Sequence, residues 1–136
     1  QHSNNANHTI IEFNVSHADQ LVAFFSTGMK QCSVGVDVVA LQIPSRANRP
    51  AEAMSEFFSH FQLDVFTANE WQTILRNTNT RSIDSRLEFH QQAIDLFFIH
   101  WALKEAYVKA LGEGIGFGLT RIEFTLLMHK HEQLDE

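Results

Sequence analysis

The sequence predicts an α+β fold, with helices packed on one face of a mainly antiparallel sheet. Strand-like stretches open the chain, helical periodicity fills its middle, and one further alternating stretch follows. Strands and helices are segregated rather than interleaved, which is the α+β order. The length of 136 residues fits one small domain or a piece of a larger one. A hydrophobic share of 44% with only two Pro and six Gly excludes a disordered chain.

Each element has a local reason. After the polar start HSNNANH, the stretch TIIEFNVSH from Thr9 alternates. Ile11, Phe13 and Val15 share one face, Glu12, Asn14 and Ser16 the other, as in a half-buried strand. DQLVAFFS reads as a second strand, TGMKQ as a turn, and SVGVDVVAL as a third strand rich in β-branched residues. The short connection predicts that the second and third strands pair antiparallel. SRANRP is a loop. PAEAMSEFFSHF then spaces Ala53, Phe57, Phe58 and Phe61 as a helix does, with Pro50 near its first turn. In FTANEWQTILR, Thr67 and Glu70 have capping-box spacing, and Phe66 and Trp71 occupy the two positions of a hydrophobic staple. A helix over 68–76 follows.

NTNTRSIDS is a polar connector. A long helix is predicted from between Glu88 and Gln92 to Leu111, with Phe97, Trp101, Lys104 or Glu105, Val108 and Leu111 in helical period and Gly112 in the C′ position. TRIEFTLLM sets Ile122, Phe124, Leu126 and Met128 against Arg121, Glu123, Thr125 and Leu127, a last strand. There is no internal repeat.

Composition also bounds function. A net charge of -6 argues against nucleic acid, which calls for a basic stripe. No apolar run reaches the roughly 20 residues that span a bilayer. The lone Cys32 has no internal disulfide partner and is compatible with a reducing compartment. His129 and His131 lie in a polar tail and read as solvated surface. The chain opens with Gln1, has no signal-peptide pattern and stops inside the charged HKHEQLDE, so a fragment of a longer protein is expected.

Four features bear on chemistry. Gly112, Gly114, Gly116 and Gly118 follow a helix, whereas a phosphate-cradling loop precedes one. They read as a C-cap and a tight turn into the last strand. Asp37 sits within a strand, where aspartate is disfavoured. Either it is an edge residue open to water, or it is a carboxylate held rigidly for a cation. Glu105 and Lys109 are one helical turn apart on one face, either as a surface ion pair or as part of a site. Asn14, Ser16 and His17 end the first strand as turn-formers or as ligand contacts.

FNVSH, GVDVV and FFIHWALKEAYVKALGEG, in that order, resemble the 4'-phosphopantetheinyl transferases of the larger, two-halved monomeric type. The last motif is specific, and the first two are short. In the small trimeric holo-acyl-carrier-protein synthases of the superfamily the aspartate strand comes first, whereas here Ser16-His17 precedes Asp37. GEGIGFGLTRIEF looks most like the eukaryotic members that act on aminoadipate reductase and fatty-acid synthase carrier domains. The resemblance implies that residues 1–33 end an N-terminal half and that 34–136 form most of the C-terminal half, with further strands beyond Leu134.

The implied reaction transfers the 4'-phosphopantetheine arm of coenzyme A to a carrier-protein serine, with adenosine 3',5'-bisphosphate released. Such chemistry needs charge neutralisation and positioning, which Mg²⁺ supplies through carboxylates, waters and phosphate oxygens. By the resemblance, Asp37 and Glu105 are metal ligands, Glu105 is also the general base, and Lys109 reaches a diphosphate oxygen. His17, with Asn14 and Ser16, contacts the coenzyme A phosphates. Many bacterial members carry a glutamate as third ligand where this sequence has Val39, so water or another group must serve here. The implied partners are coenzyme A and an acyl, peptidyl or aminoadipate-reductase carrier domain. The implied setting is a full-length cytoplasmic monomer with no nucleic acid and no membrane; the isolated 136 residues are expected to be weak or inactive. A non-catalytic coenzyme A-binding or carrier-docking domain is the alternative.

Overall fold

A computed structural model describes residues 10–43, 50–61, 64–76 and 83–127. The polar start, the 45–49 loop, the connector 77–82 and the tail with Met128, His129 and His131 lie outside the described residues. The architecture is α+β, with an antiparallel pair of strands followed by three α-helices.

β1 (Glu12–Ala18) and β2 (Leu21–Thr27) form a hairpin, with Ser16 opposite Ala23 and His17 opposite Val22. A two-residue turn joins them, and Asp19 takes a φ of 51, a conformation Asp tolerates in tight turns. The faces are inverted relative to the expectation. Phe13, 63% exposed, lies against Phe24 on the open side, whereas Asn14 and the buried Ser16 turn inward. The inward face is polar because it binds backbone.

That backbone is the 33–41 stretch. It carries no ladder among the described residues, and β2 pairs with β1 instead of with it. The Val36 N–H donates to Asn14 Oδ1 and the Val38 N–H to Ser16 Oγ, each at 3.1 Å. Side chains of β1 thus meet the donors that a neighbouring strand would have taken. Alternation fixes which side chains share a face, but a ladder also needs a backbone partner.

α1 (Pro50–Ser59) and α2 (Ala68–Leu75) pack on α3 (Ile83–Leu111). The capping box of α2 is complete: Thr67 Oγ1 accepts from the Glu70 N–H, and the Thr67 N–H donates to Glu70 Oε2 at 2.8 Å. The staple closes too, with Phe66 and Trp71 ring centroids 5.2 Å apart. α3 begins earlier than expected. Its first turns lack apolar period, but Arg86, Leu87 and Glu88 are good helix formers. At its end, Gly112 takes a φ of +72, and its N–H donates to the Val108 and Lys109 carbonyls, a C-cap that favours glycine.

The glycine run continues as two 3₁₀ turns, Gly114–Phe117 and Leu119–Arg121, in place of the single tight turn expected. Residues 122–127 then alternate as predicted, with Ile122, Phe124 and Leu126 half-buried and Glu123, Thr125 and Leu127 exposed. They form no ladder among the described residues. Glu123 instead accepts hydrogen bonds from Thr67 Oγ1 and Asn69 Nδ2, which hold its carboxyl below the usual range. The core is aromatic: Phe57, Phe58, Phe61, Phe66 and Trp71 gather around Phe97, which is fully buried on α3.

Candidate active site

Asp37 and Lys109 meet between the 33–41 stretch and the last turn of α3. Lys109 Nζ donates to Asp37 Oδ1 at 2.6 Å, to Ser16 Oγ at 3.1 Å and to the Val36 carbonyl at 3.3 Å. Ser16 Oγ in turn donates to Asp37 Oδ1 at 3.1 Å. Asp37 is 10% exposed and Lys109 31%, so this charge-assisted contact is partly desolvated and stronger than a surface pair.

Gly35 makes the meeting possible. A Cβ at this position would lie 1.8 Å from the Ala106 carbonyl oxygen and 2.7 Å from the Ala110 nitrogen. Only glycine lets the stretch lie directly on α3, which sets Asp37, two residues on, beside Lys109.

Glu105 stands one turn before Lys109. Burial pushes its carboxyl above the ordinary value of 4.5, the negative charge of Asp37 pushes it further the same way, and Lys109 opposes both. Glu105 and Lys109 open onto a cleft of about 870 Å³, with Asn14 beside them and Trp101, Gly112 and Leu119 among its other walls. Asp37 borders this group rather than the cleft itself. His17 does not join it: the pleat turns His17 to the opposite face from Asn14 and Ser16, where it is exposed.

Residues 33–135 match the family model of the 4'-phosphopantetheinyl transferase superfamily. The chain belongs to this superfamily. It is 37% identical over 112 residues to the L-aminoadipate-semialdehyde dehydrogenase-phosphopantetheinyl transferase of Rattus norvegicus, an alignment covering 82% of this chain and 30% of the relative. Its identity to a phosphopantetheinyl transferase of Thraustochytrium is 34% over 114 residues, 84% of this chain and 35% of that one. To the Schizosaccharomyces pombe protein that carries the same name as the rat one, identity is 31% over 132 residues, 92% of this chain and 42% of the relative. The chain thus spans about a third of the length of the rat and Thraustochytrium relatives. Among the described residues, no helix is long and apolar enough to cross a membrane.

The family resemblance implies a divalent cation, and whether these residues fit one is a chemical question. Among the described residues, no three His, Cys, Asp or Glu side chains converge on one point. Asp37 is bonded to Lys109 through Oδ1, and Glu105 stands one helical turn before that lysine. Hard oxygen donors in this number suit a small divalent cation that keeps water and substrate oxygens as its other ligands. Val39, packed against the apolar core, adds no donor.

Gly35, Lys104 and Glu70 hold this region together in ways that were not read from the sequence. Gly35 had a signal, since a glycine inside a strand pattern marks close backbone approach. Lys104 and Glu70 form a fully buried ion pair of 2.8 Å. Its one clue was that Lys104 continues the ridge of Phe97 and His100 on the inner side of α3.

Proposed function

We propose that this chain carries the diphosphate- and metal-binding part of a 4'-phosphopantetheinyl transferase. The enzyme moves the phosphopantetheine arm of coenzyme A to a serine of an acyl, peptidyl or aminoadipate-reductase carrier domain and releases adenosine 3',5'-bisphosphate. The observation that carries this reading is that Glu105 and Lys109 open onto one cleft while Lys109 is bonded to Asp37 from a distant segment.

Glu105 is the general base. Its carboxylate opens onto the cleft, where a serine hydroxyl within hydrogen-bond reach could pass it a proton. It takes the proton of the carrier serine as the serine oxygen attacks the phosphorus that bears the pantetheine arm. A new phosphorus–oxygen bond forms, the bridging bond breaks, and the electron pair leaves with adenosine 3',5'-bisphosphate. Lys109 places a compact positive charge where the diphosphate gains negative charge. Asp37 and Glu105 are the residues that would hold Mg²⁺, which when bound neutralises diphosphate charge.

Asn14 lines the cleft and is assigned to coenzyme A; the family resemblance assigns Ser16 and His17 to it as well, His17 from the opposite face of β1 and outside this cleft. Ser16 also orients Asp37 and Lys109 through its hydroxyl. The open apolar face of the β1–β2 hairpin supports assigning residues 1–33 to the end of a first half that packs on this one, with 34–136 in the second. The same reading takes the enzyme as a cytoplasmic monomer.

The test is mass spectrometry of a carrier domain incubated with coenzyme A, Mg²⁺ and the longest natural polypeptide that contains this chain. A mass gain of one phosphopantetheine is expected, lost with Glu105→Ala. Coenzyme A binding without any gain would favour the non-catalytic domain instead.

A further inference from the structure

The proposed chemistry uses neither member of the Glu70–Lys104 pair, although both side chains are fully buried. Lys104 Nζ also donates to the Leu119 carbonyl at 2.8 Å and the Ile122 carbonyl at 2.6 Å. Glu70 accepts from the Thr67 N–H at 2.8 Å and the Phe124 N–H at 2.9 Å. Removing two charges from water is costly unless every partner is supplied, and here the partners are backbone groups of two other segments.

Those segments explain the placement. The network ties α3 to the first turn of α2 and to residues 119–124. Gly118 and Leu119, at the start of the latter, form cleft wall together with Glu105 and Lys109. Lys104 directly precedes Glu105, and successive side chains on a helix point about 100° apart. One turn of α3 therefore turns Glu105 to the cleft and Lys104 to the backbone of the wall.

We propose that Lys104 is a positioning residue for the transfer, which acts with Glu70 to fix the Gly118 and Leu119 wall relative to Glu105 and Lys109 and so sets the fit of coenzyme A in the cleft. This rests on the transferase reading. Neither residue touches the substrate; each acts through the wall it holds.

The test compares wild type with Glu70→Gln and with the double variant Glu70→Gln/Lys104→Met in the longest natural polypeptide, by thermal unfolding and by kinetics with coenzyme A varied. The double variant removes both charges, whereas Glu70→Gln leaves Lys104 charged but still bonded to the Leu119 and Ile122 carbonyls. The double variant is expected to raise KM for coenzyme A by about tenfold or more while kcat stays within about twofold, with a smaller shift of the same kind for Glu70→Gln. A purely structural role gives the opposite split, since a smaller folded fraction lowers apparent kcat and leaves KM alone. That split, or both constants unchanged in folded variants, overturns the inference. If the double variant does not fold, Glu70→Gln decides by the same criterion, because it keeps side-chain volume and an oxygen for the Phe124 N–H. Wild type that neither binds coenzyme A nor loads a carrier overturns the transferase reading and this inference with it, an outcome distinct from an active wild type with unmoved KM.

Discussion

Gly35→Ala is the smallest change that separates the parts of the site while leaving every charged group in place. The added methyl group would start 1.8 Å from the Ala106 carbonyl oxygen and must retreat to at least 3.0 Å. That oxygen belongs to the backbone of α3, so the 33–41 stretch is what moves. Overpacking of this kind costs about 1–3 kcal/mol. The retreat also lengthens the 2.6 Å contact between Asp37 and Lys109, two residues further along. A hydrogen bond to a charged group contributes about 1.5–3 kcal/mol, and the partial exposure of Lys109 places this one at the lower end. Together the loss is about 3 kcal/mol, a large share of a domain's stability. Misplacement of a catalytic group by 1 Å costs on the order of 100-fold in rate. Urea unfolding should therefore show a lower midpoint at unchanged slope, and carrier loading by the folded fraction should fall by about 100-fold. A variant with the wild-type midpoint and a rate within about threefold of wild type would refute the close-packing argument.

Other substitutions test separate steps. Glu105 has a raised pKa, so the folded protein binds its proton more tightly than the unfolded chain does. Its ionisation thus costs stability as pH rises from the ordinary carboxylate range through the folded value. In chelator, Glu105→Gln should be more stable than wild type at neutral pH, with the advantage gone below pH 4.5; a destabilised variant at pH 7 contradicts the desolvated setting. Carboxyl NMR titration of Glu105 in chelator should move to lower pH with Asp37→Asn and to higher pH with Lys109→Met, because the first removes a repelling charge and the second an attracting one. Equal midpoints in both variants would mean that the three groups do not share a site. Phe97→Ala removes the ring at the centre of the aromatic core and should cost about 3–5 kcal/mol by chemical unfolding. A loss under about 1 kcal/mol would show that the core does not depend on it.

Local chemistry was the legible part of the fold. The box and staple around Thr67, Glu70, Phe66 and Trp71 could be read because all their partners lie within a few residues of one another. Gly112 as a helix stop was legible for the same reason. The inverted hairpin was not, because alternation assigns two faces without saying which one is covered. Here a polar face is the inner one, since Asn14 and Ser16 bind the Val36 and Val38 N–H groups.

The order of FNVSH, GVDVV and WALKEAYVKAL singled out the candidate residues, but their mutual geometry was not legible. Nothing local to Asp37 says that Lys109, 72 residues later, donates to it. Glu70 has a complete local role as a capping residue, which hid its second one, the buried bond to Lys104. Composition gave no hint of that pair, since charged residues are ordinarily surface residues.

The central claim is that Asp37 and Glu105 jointly hold a divalent cation against the diphosphate of coenzyme A. Paramagnetic broadening of the coenzyme A phosphorus signals by Mn²⁺, in the longest natural polypeptide containing this chain, measures that meeting directly. The account predicts selective broadening of the two diphosphate resonances over the 3'-phosphate, lost with either Asp37→Asn or Glu105→Gln. Broadening that survives both substitutions, or that falls on the 3'-phosphate alone, would contradict it.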